Sequence, residues 1–315
     1  MLKSFDLEWM RSPLRRGLAV LLLALWAGAS TGAQIDVVLS DDSPVYADAA
    51  QALQEAFSGL ASVRLTNLSD PEADRRPGDD TVLLVTIGAR ALAATLESAR
   101  RPILGIAVTR STFERMIRSA EGRQTRQVST IFLDQPLARQ INLVKLLLPG
   151  AQRVGVLVAA ENAQSAKLLE ALADGSGLSV AAEGVGSPQD VYAALKRLLP
   201  RSDLLLAIPD PAIYNSTTLH NILLSALRAN QPVIATSPSF VRAGALAAVY
   251  TTNAQFARQV AAAAQRLIRQ GSLPPPEYPR EFEIAVNSAT AASLGLSPDE
   301  AVRLRAQLQA MERER

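Results

Sequence analysis

After Gln34, short and strongly apolar runs alternate with longer amphipathic segments, the pattern of a parallel sheet covered by helices on both faces. Strands buried on both faces read as continuous hydrophobic stretches. The first half offers five: Ile35 to Leu39, Ser62 to Leu65, Thr81 to Thr86, Ile103 to Val108 and Val128 to Phe132. Helices fall between them, most clearly over Tyr46 to Phe57 and Ala89 to Ala99. The second half repeats the plan, with strands at Arg153 to Val158, Leu178 to Ala182, Leu204 to Ile208, Val233 to Ala235 and Leu246 to Tyr250. Its helices are expected near Gln164 to Ala173, Pro188 to Leu199 and Thr217 to Ala229.

Two βα arrays of this length predict an α/β protein of two lobes, each a parallel sheet flanked by helices, rather than one sheet of ten strands. The first lobe is expected over 34–133, a crossover over 134–150 and the second lobe over 151–253. Pro149 and Gly150 stop the crossover helix. The amphipathic stretch Ala254 to Gln270 ends at Gly271 and Pro274 to Pro276, and a short strand, Phe282 to Val286, follows. The whole tail, 254–315, is expected to pack back on the first lobe.

Residues 1–33 carry the three parts of a secretory signal peptide. Lys3, Arg11, Arg15 and Arg16 make a basic start, Leu18 to Ala27 an apolar run, and Ala29 to Ala33 a small-residue cleavage region. The alternative, an uncleaved anchor, needs roughly 20 apolar residues where this run has about ten. Cleavage after Ala33 changes the charge. Of 32 Lys and Arg and 30 Asp and Glu, the leader holds four and two, so 28 of each remain and the net charge is zero. Without a basic surplus there is nothing to release counterions from a phosphate backbone, so nucleic-acid binding is not expected. The chain has no Cys, so a lipid-anchored form is excluded and a released, soluble protein is expected. One His and no Cys also argue against a transition-metal site, while carboxylate and carbonyl sites for harder cations stay open on composition; no cofactor or bound metal is expected.

Open α/β sheets bind ligands beyond the carboxyl ends of their strands. The candidates there are Asp41, Gly88, Thr109 and Arg110 in the first lobe, and Asn162, Ser165, Asp210, Asn215 and Ser237 in the second. Hydroxyl, amide and carboxylate groups suit a polar small molecule held by hydrogen bonds. Asp41, Asn162 and Ser237 equally suit helix caps, a role that still leaves backbone N–H groups facing the crevice. Arg110 is the most informative candidate, because a guanidinium grips a carboxylate through two parallel bonds. Its alternative is membership of a solvated basic face with Arg115, Arg118, Arg123 and Arg126. No Gly-x-Ser-x-Gly elbow, Gly-rich phosphate loop or Gly-x-Gly-x-x-Gly turn is present, and the lone His220 falls within a helix, so catalysis is not expected.

Leu146-Leu147-Leu148-Pro149-Gly150-Ala151-Gln152-Arg153-Val154-Gly155-Val156-Leu157 leads into the second array. Ala207-Ile208-Pro209-Asp210-Pro211, Asn230 to Ala235 and Ala243-Gly244-Ala245 follow, and Ile284-Ala285-Val286-Asn287, Thr290-Ala291 and Leu294-Gly295-Leu296 close the chain. In order and spacing these resemble the periplasmic substrate-binding proteins of a group of ABC-type transporters, some of which bind aromatic amino acids, over about Val37 to Glu300. The resemblance implies two Rossmann-like lobes of the type I periplasmic binding protein architecture that clamp a small ligand, an amino acid or other small carboxylate. It also implies delivery to an ABC permease in the inner membrane, and a monomer. A sensing partner of a membrane receptor, an exported enzyme and a scaffold that has lost its ligand are the rival readings. The chain departs from the family where Thr-Asp-Pro is usual after the fourth strand: it has Thr109-Arg110-Ser111, an acid replaced by a base. It departs again before the crossover, where Arg126-Gln127-Val128-Ser129 replaces a glycine-containing stretch.

Overall fold

The computed structural model describes residues 33–71, 77–98, 100–120, 127–159, 163–210, 212–215, 217–297 and 300–313. The expected leader, apart from Ala33, lies outside the described residues, as does Asn162. Among the described residues no helix is long and apolar enough to cross a membrane.

The first sheet comprises β1 (Gln34–Leu39), β2 (Ser62–Asn67), β3 (Thr81–Ile87), β4 (Ile103–Ile106) and β5 (Val128–Thr130), all parallel, in the order β2-β1-β3-β4-β5. Both faces are covered. On one face α1 (Pro44–Phe57) supplies Leu53 and Phe57 to a core with Ile35, Val37 and Val85. On the other, α2 (Ala89–Ser98) and α3 (Arg110–Ser119) bring Leu92, Leu96 and Phe113 against Leu84 and Ile103.

The second sheet contains β6 (Arg153–Ala159), β7 (Ser179–Val185), β8 (Leu204–Leu206), β9 (Val233–Ala235), β10 (Ala247–Tyr250) and β11 (Glu283–Val286), in the order β11-β10-β9-β8-β6-β7. The two crossover-side helices, α4 (Leu137–Leu147) and α5 (Ala163–Asp174), cover one face. Helices α6 (Val191–Leu198), α7 (Leu219–Arg228) and α8 (Pro238–Arg242) supply the core of the other.

The tail differs from the expectation that all of it packs on the first lobe. Only its first part does so: α9 (Asn253–Gln270) inserts Phe256, Val260, Ala264 and Leu267 into the core around Ile35 and Leu53, Leu273 joins that core, Glu277 bridges Ile131 and Tyr278 packs on Phe132. A Thr252 capping box starts this helix and Gly271, at φ 71°, ends it. The chain then returns: β11 pairs antiparallel with β10, the short α10 (Ser288–Ser293) follows, and α11 (Glu300–Arg313) buries Leu304 and Leu308 against Phe282 and Ile284 in the second lobe. The reason is pairing. β10 presents an open edge, and Ile284 on β11 is buried only when it lies against that edge.

The chain therefore crosses between lobes three times, near residues 133–136, 251–252 and 278–282. Side chains lace the crossings together. Gln135 Nε2 donates to Thr251 Oγ1 at 2.9 Å, Thr251 Oγ1 donates to the Glu281 carbonyl at 2.8 Å, and Arg139 Nη1 reaches Gln135 Oε1 at 2.6 Å and the Pro279 carbonyl at 3.1 Å.

Candidate functional site

A cavity of about 340 Å³ opens between the lobes beside these crossings. The first turns of α3 contribute Arg110, Ser111 and Glu114; the first crossing contributes Asp134 and Gln135; Gln140 on α4 joins them. The second lobe supplies Ser165 and Leu168 from α5, with Ile208 and Pro209 just past β8, and Tyr278 stands on the third crossing. Of the sequence candidates, this places Arg110 and Ser165 together.

The others lie outside the cavity wall, and most have local work. Thr109 is the N-cap of α3, its hydroxyl accepting from Thr112 N–H at 3.3 Å, and Ser237 caps α8 by accepting from Phe240 N–H at 3.5 Å. Asp41 Oδ1 takes Ser43 N–H at 3.0 Å ahead of α1, and the Ser43 hydroxyl first, then this backbone bond, hold its carboxyl below the usual range. Asn215 Oδ1 accepts from Thr217 N–H and Thr218 N–H, and Asp210 Oδ1 from Ala212 N–H at 2.9 Å. Short polar side chains before a helix prefer exactly such bonds to their own backbone. Gly88 follows β3 with φ 90°, where an added Cβ would sit 2.5 Å from Ser40 Oγ and 2.7 Å from the Tyr46 hydroxyl.

Arg110 does face the cleft, but its side chain is already engaged. Nε donates to Glu114 Oε1 at 2.6 Å, one turn along α3, and Nη1 donates to the Tyr278 hydroxyl at 3.3 Å. These two bonds push its pKa further up, so it stays charged. The guanidinium thus ties α3 to the third crossing.

Asp134, Gln140 and Tyr278 escaped the sequence reading. Asp134 Oδ2 accepts the Arg110 N–H at 2.7 Å, while Oδ1 is buried without a hydrogen-bond partner among the described residues. Burial pushes the Asp134 carboxyl up to about 6; the Arg110 N–H and charge pull it down, and the Glu114 charge pushes it up. An acid whose folded pKa exceeds its unfolded value of about 3.9 favours the folded state at low pH. That preference is lost as pH rises from about 4 through 6, a total change of roughly 2–3 kcal/mol against folding. Glu114→Gln removes a like charge and releases the Arg110 guanidinium, so the Asp134 midpoint should fall below 6. Carboxyl carbon NMR titration checks this, and an unchanged or higher midpoint would contradict it.

Among the described residues there is no group of three or more His, Cys, Asp or Glu placed to hold a metal. The family model for ABC transporter substrate binding proteins matches residues 75–309. No curated protein matches the sequence. Among solved structures, a conserved domain protein from Vibrio cholerae matches at a TM-score of 0.61 with 20% identity, covering 87% of this chain and 98% of that one. An ABC domain in complex with L-Trp from Streptococcus pneumonia matches at 0.60 with 17% identity, covering 86% and 98%. The ligand-free, open form of a substrate binding protein with adhesive properties from Clostridium difficile matches at 0.63 with 17% identity, covering 84% and 95%. At these identities the structures establish the shared two-lobed fold.

Proposed function

We propose, from the premise that this chain belongs to the family of ABC transporter substrate-binding proteins, that it captures a small polar solute between its lobes outside the cytoplasm and delivers it to an ABC permease. The observation carrying this reading is the cavity whose wall is drawn from both lobes: Arg110 and Glu114 on one side, Ser165, Leu168 and Pro209 on the other. A solute touching both walls gains its second set of contacts only when the lobes approach, so binding shifts the population towards a closed form that a permease can distinguish. Binding is without covalent chemistry. The mature protein works as a soluble periplasmic monomer released by signal cleavage.

Thermal unfolding of the mature protein against amino acids, organic acids, amines and small peptides tests the capture. A solute at about 100 times its dissociation constant adds about 2.7 kcal/mol, a readily measured rise in midpoint. Small-angle scattering should show compaction with the same solute. Chemical conversion of the solute, or an unchanged midpoint across the panel, would defeat the proposal.

A further inference from the structure

Resting on that reading of the cleft, the geometry points to a ligand class: we infer that the cavity selects a protonated amine, received by Asp134 Oδ1 and Gln140 Oε1. Both atoms belong to residues lining the one cavity, both are buried, and neither has a hydrogen-bond partner among the described residues. Gln140 itself is 3% exposed. Its amide orientation is set by its neighbour, because Nε2 donates to the Gln135 carbonyl and the reversed amide would place two oxygens against each other.

Three donors beside these oxygens are in use. Gln135 Nε2 is bound to Thr251, Arg110 N–H to Asp134 Oδ2 and Arg110 Nε to Glu114. A buried acceptor left unpaired is costly, so the occupant that relieves it must bring donors. A hydroxyl brings one. An ammonium brings up to three and a positive charge, which answers both oxygens and the poorly solvated Asp134 carboxylate together. At this end a carboxylate would meet two oxygens and a guanidinium already held by Glu114 and Tyr278; the cavity's other guanidinium, Arg118, lies two turns further along α3.

The charged and titratable groups facing Asp134 are Arg110 and Glu114 on α3, Arg118 further along the same helix, and Tyr278 on the third crossing; α4 and α5 present Gln140, Gln164 and Ser165, none of which titrates near neutral pH. Amine affinity should therefore hold above pH 6 and fall by up to tenfold per unit below it, as the Asp134 carboxyl protonates.

The test is calorimetric titration of the mature protein with putrescine, ethanolamine and a set of amino acids, each beside its N-acetyl derivative. Binding is expected for members carrying the free amine and at least tenfold weaker for the acetylated partner. Asp134→Asn should weaken the amine at least tenfold and abolish the pH dependence, while its ligand-free melting midpoint at pH 7 stays at or above that of the parent. Gln140→Leu should weaken it less. Equal affinity for amine and acetylated partner, or an undiminished affinity in Asp134→Asn, overturns the amine assignment. If organic acids or neutral solutes bind while amines do not, the assignment falls and solute capture stands. If no solute of any class binds, both fall.

Discussion

Arg139→Ala is expected to lower stability by about 3 kcal/mol, the low end for a buried ion pair because the Glu312 carboxylate is 32% exposed, and it strands the buried partners of the lost charge. The Arg139 side chain is 5% exposed. It grips Glu312 on α11 through Nε at 2.5 Å and Nη2 at 2.9 Å, donates to Gln135 and the Pro279 carbonyl, and lies 4.2 Å over the Phe282 ring. One guanidinium thus joins the first crossing, the third crossing and the last helix. Loss of the side chain also opens a void beside Phe282. Arg139→Met fills that void and should recover part of the loss, since a well-packed apolar group can replace a buried ion pair at little cost. Denaturant unfolding of both variants checks the order; an alanine variant within 1 kcal/mol of the parent would show that the network carries little stability. The same lesion should alter closure, because Gln135 links this network to the cavity wall and to Thr251.

Gly88→Ala should cost about 2–5 kcal/mol, combining a left-handed backbone penalty of about 1–2 kcal/mol with overpacking of about 1–3 kcal/mol. The neighbours cannot yield easily. Ser40 Oγ donates to the Ile87 carbonyl at 2.8 Å and accepts from Ala91 N–H at 3.0 Å, so moving it breaks the join between β3 and α2. Gly59 has a similar φ of 78° and open space for a Cβ, so Gly59→Ala should show the backbone penalty alone. Comparing the two unfolding midpoints separates the terms. Equal losses would remove the steric part of the argument.

The contrast at Gly88 shows how far the sequence could be read. Its place after an apolar run is visible locally, and so are β3, β6 and the other parallel strands, because burial on both faces leaves a continuous hydrophobic signature. What Gly88 is for is not visible locally: it makes room for Ser40 and Tyr46, more than forty residues away. The cavity follows the same rule. Arg110 and Ser165 were found because each follows a strand, where the fold places ligands. Asp134 and Gln140 sit in the crossover, and nothing in Leu133 to Arg139 announces that one carboxylate oxygen will be buried unpaired. Helix α4 hides its meaning further, since Arg139, Gln140 and Asn142 are all buried on a helix whose polar residues would ordinarily mark a solvated face. The strand at Phe282 to Val286 was legible, but its antiparallel pairing with β10, like the place of Tyr278 against Phe132, is made across the chain and leaves no periodicity to detect.

The return of the tail to the second lobe bears on how the molecule is made. Neither half owns a contiguous stretch of chain: the first core waits for Phe256 to Leu267, and the second waits for Phe282, Ile284, Leu304 and Leu308. A ribosome that has released residues 1–250 has therefore produced two incomplete cores and no finished lobe. Domains usually fold in the order of their synthesis, but here the last sixty residues complete both at once. Under the export proposed above, that delay would be an asset, since premature compaction blocks passage through a membrane.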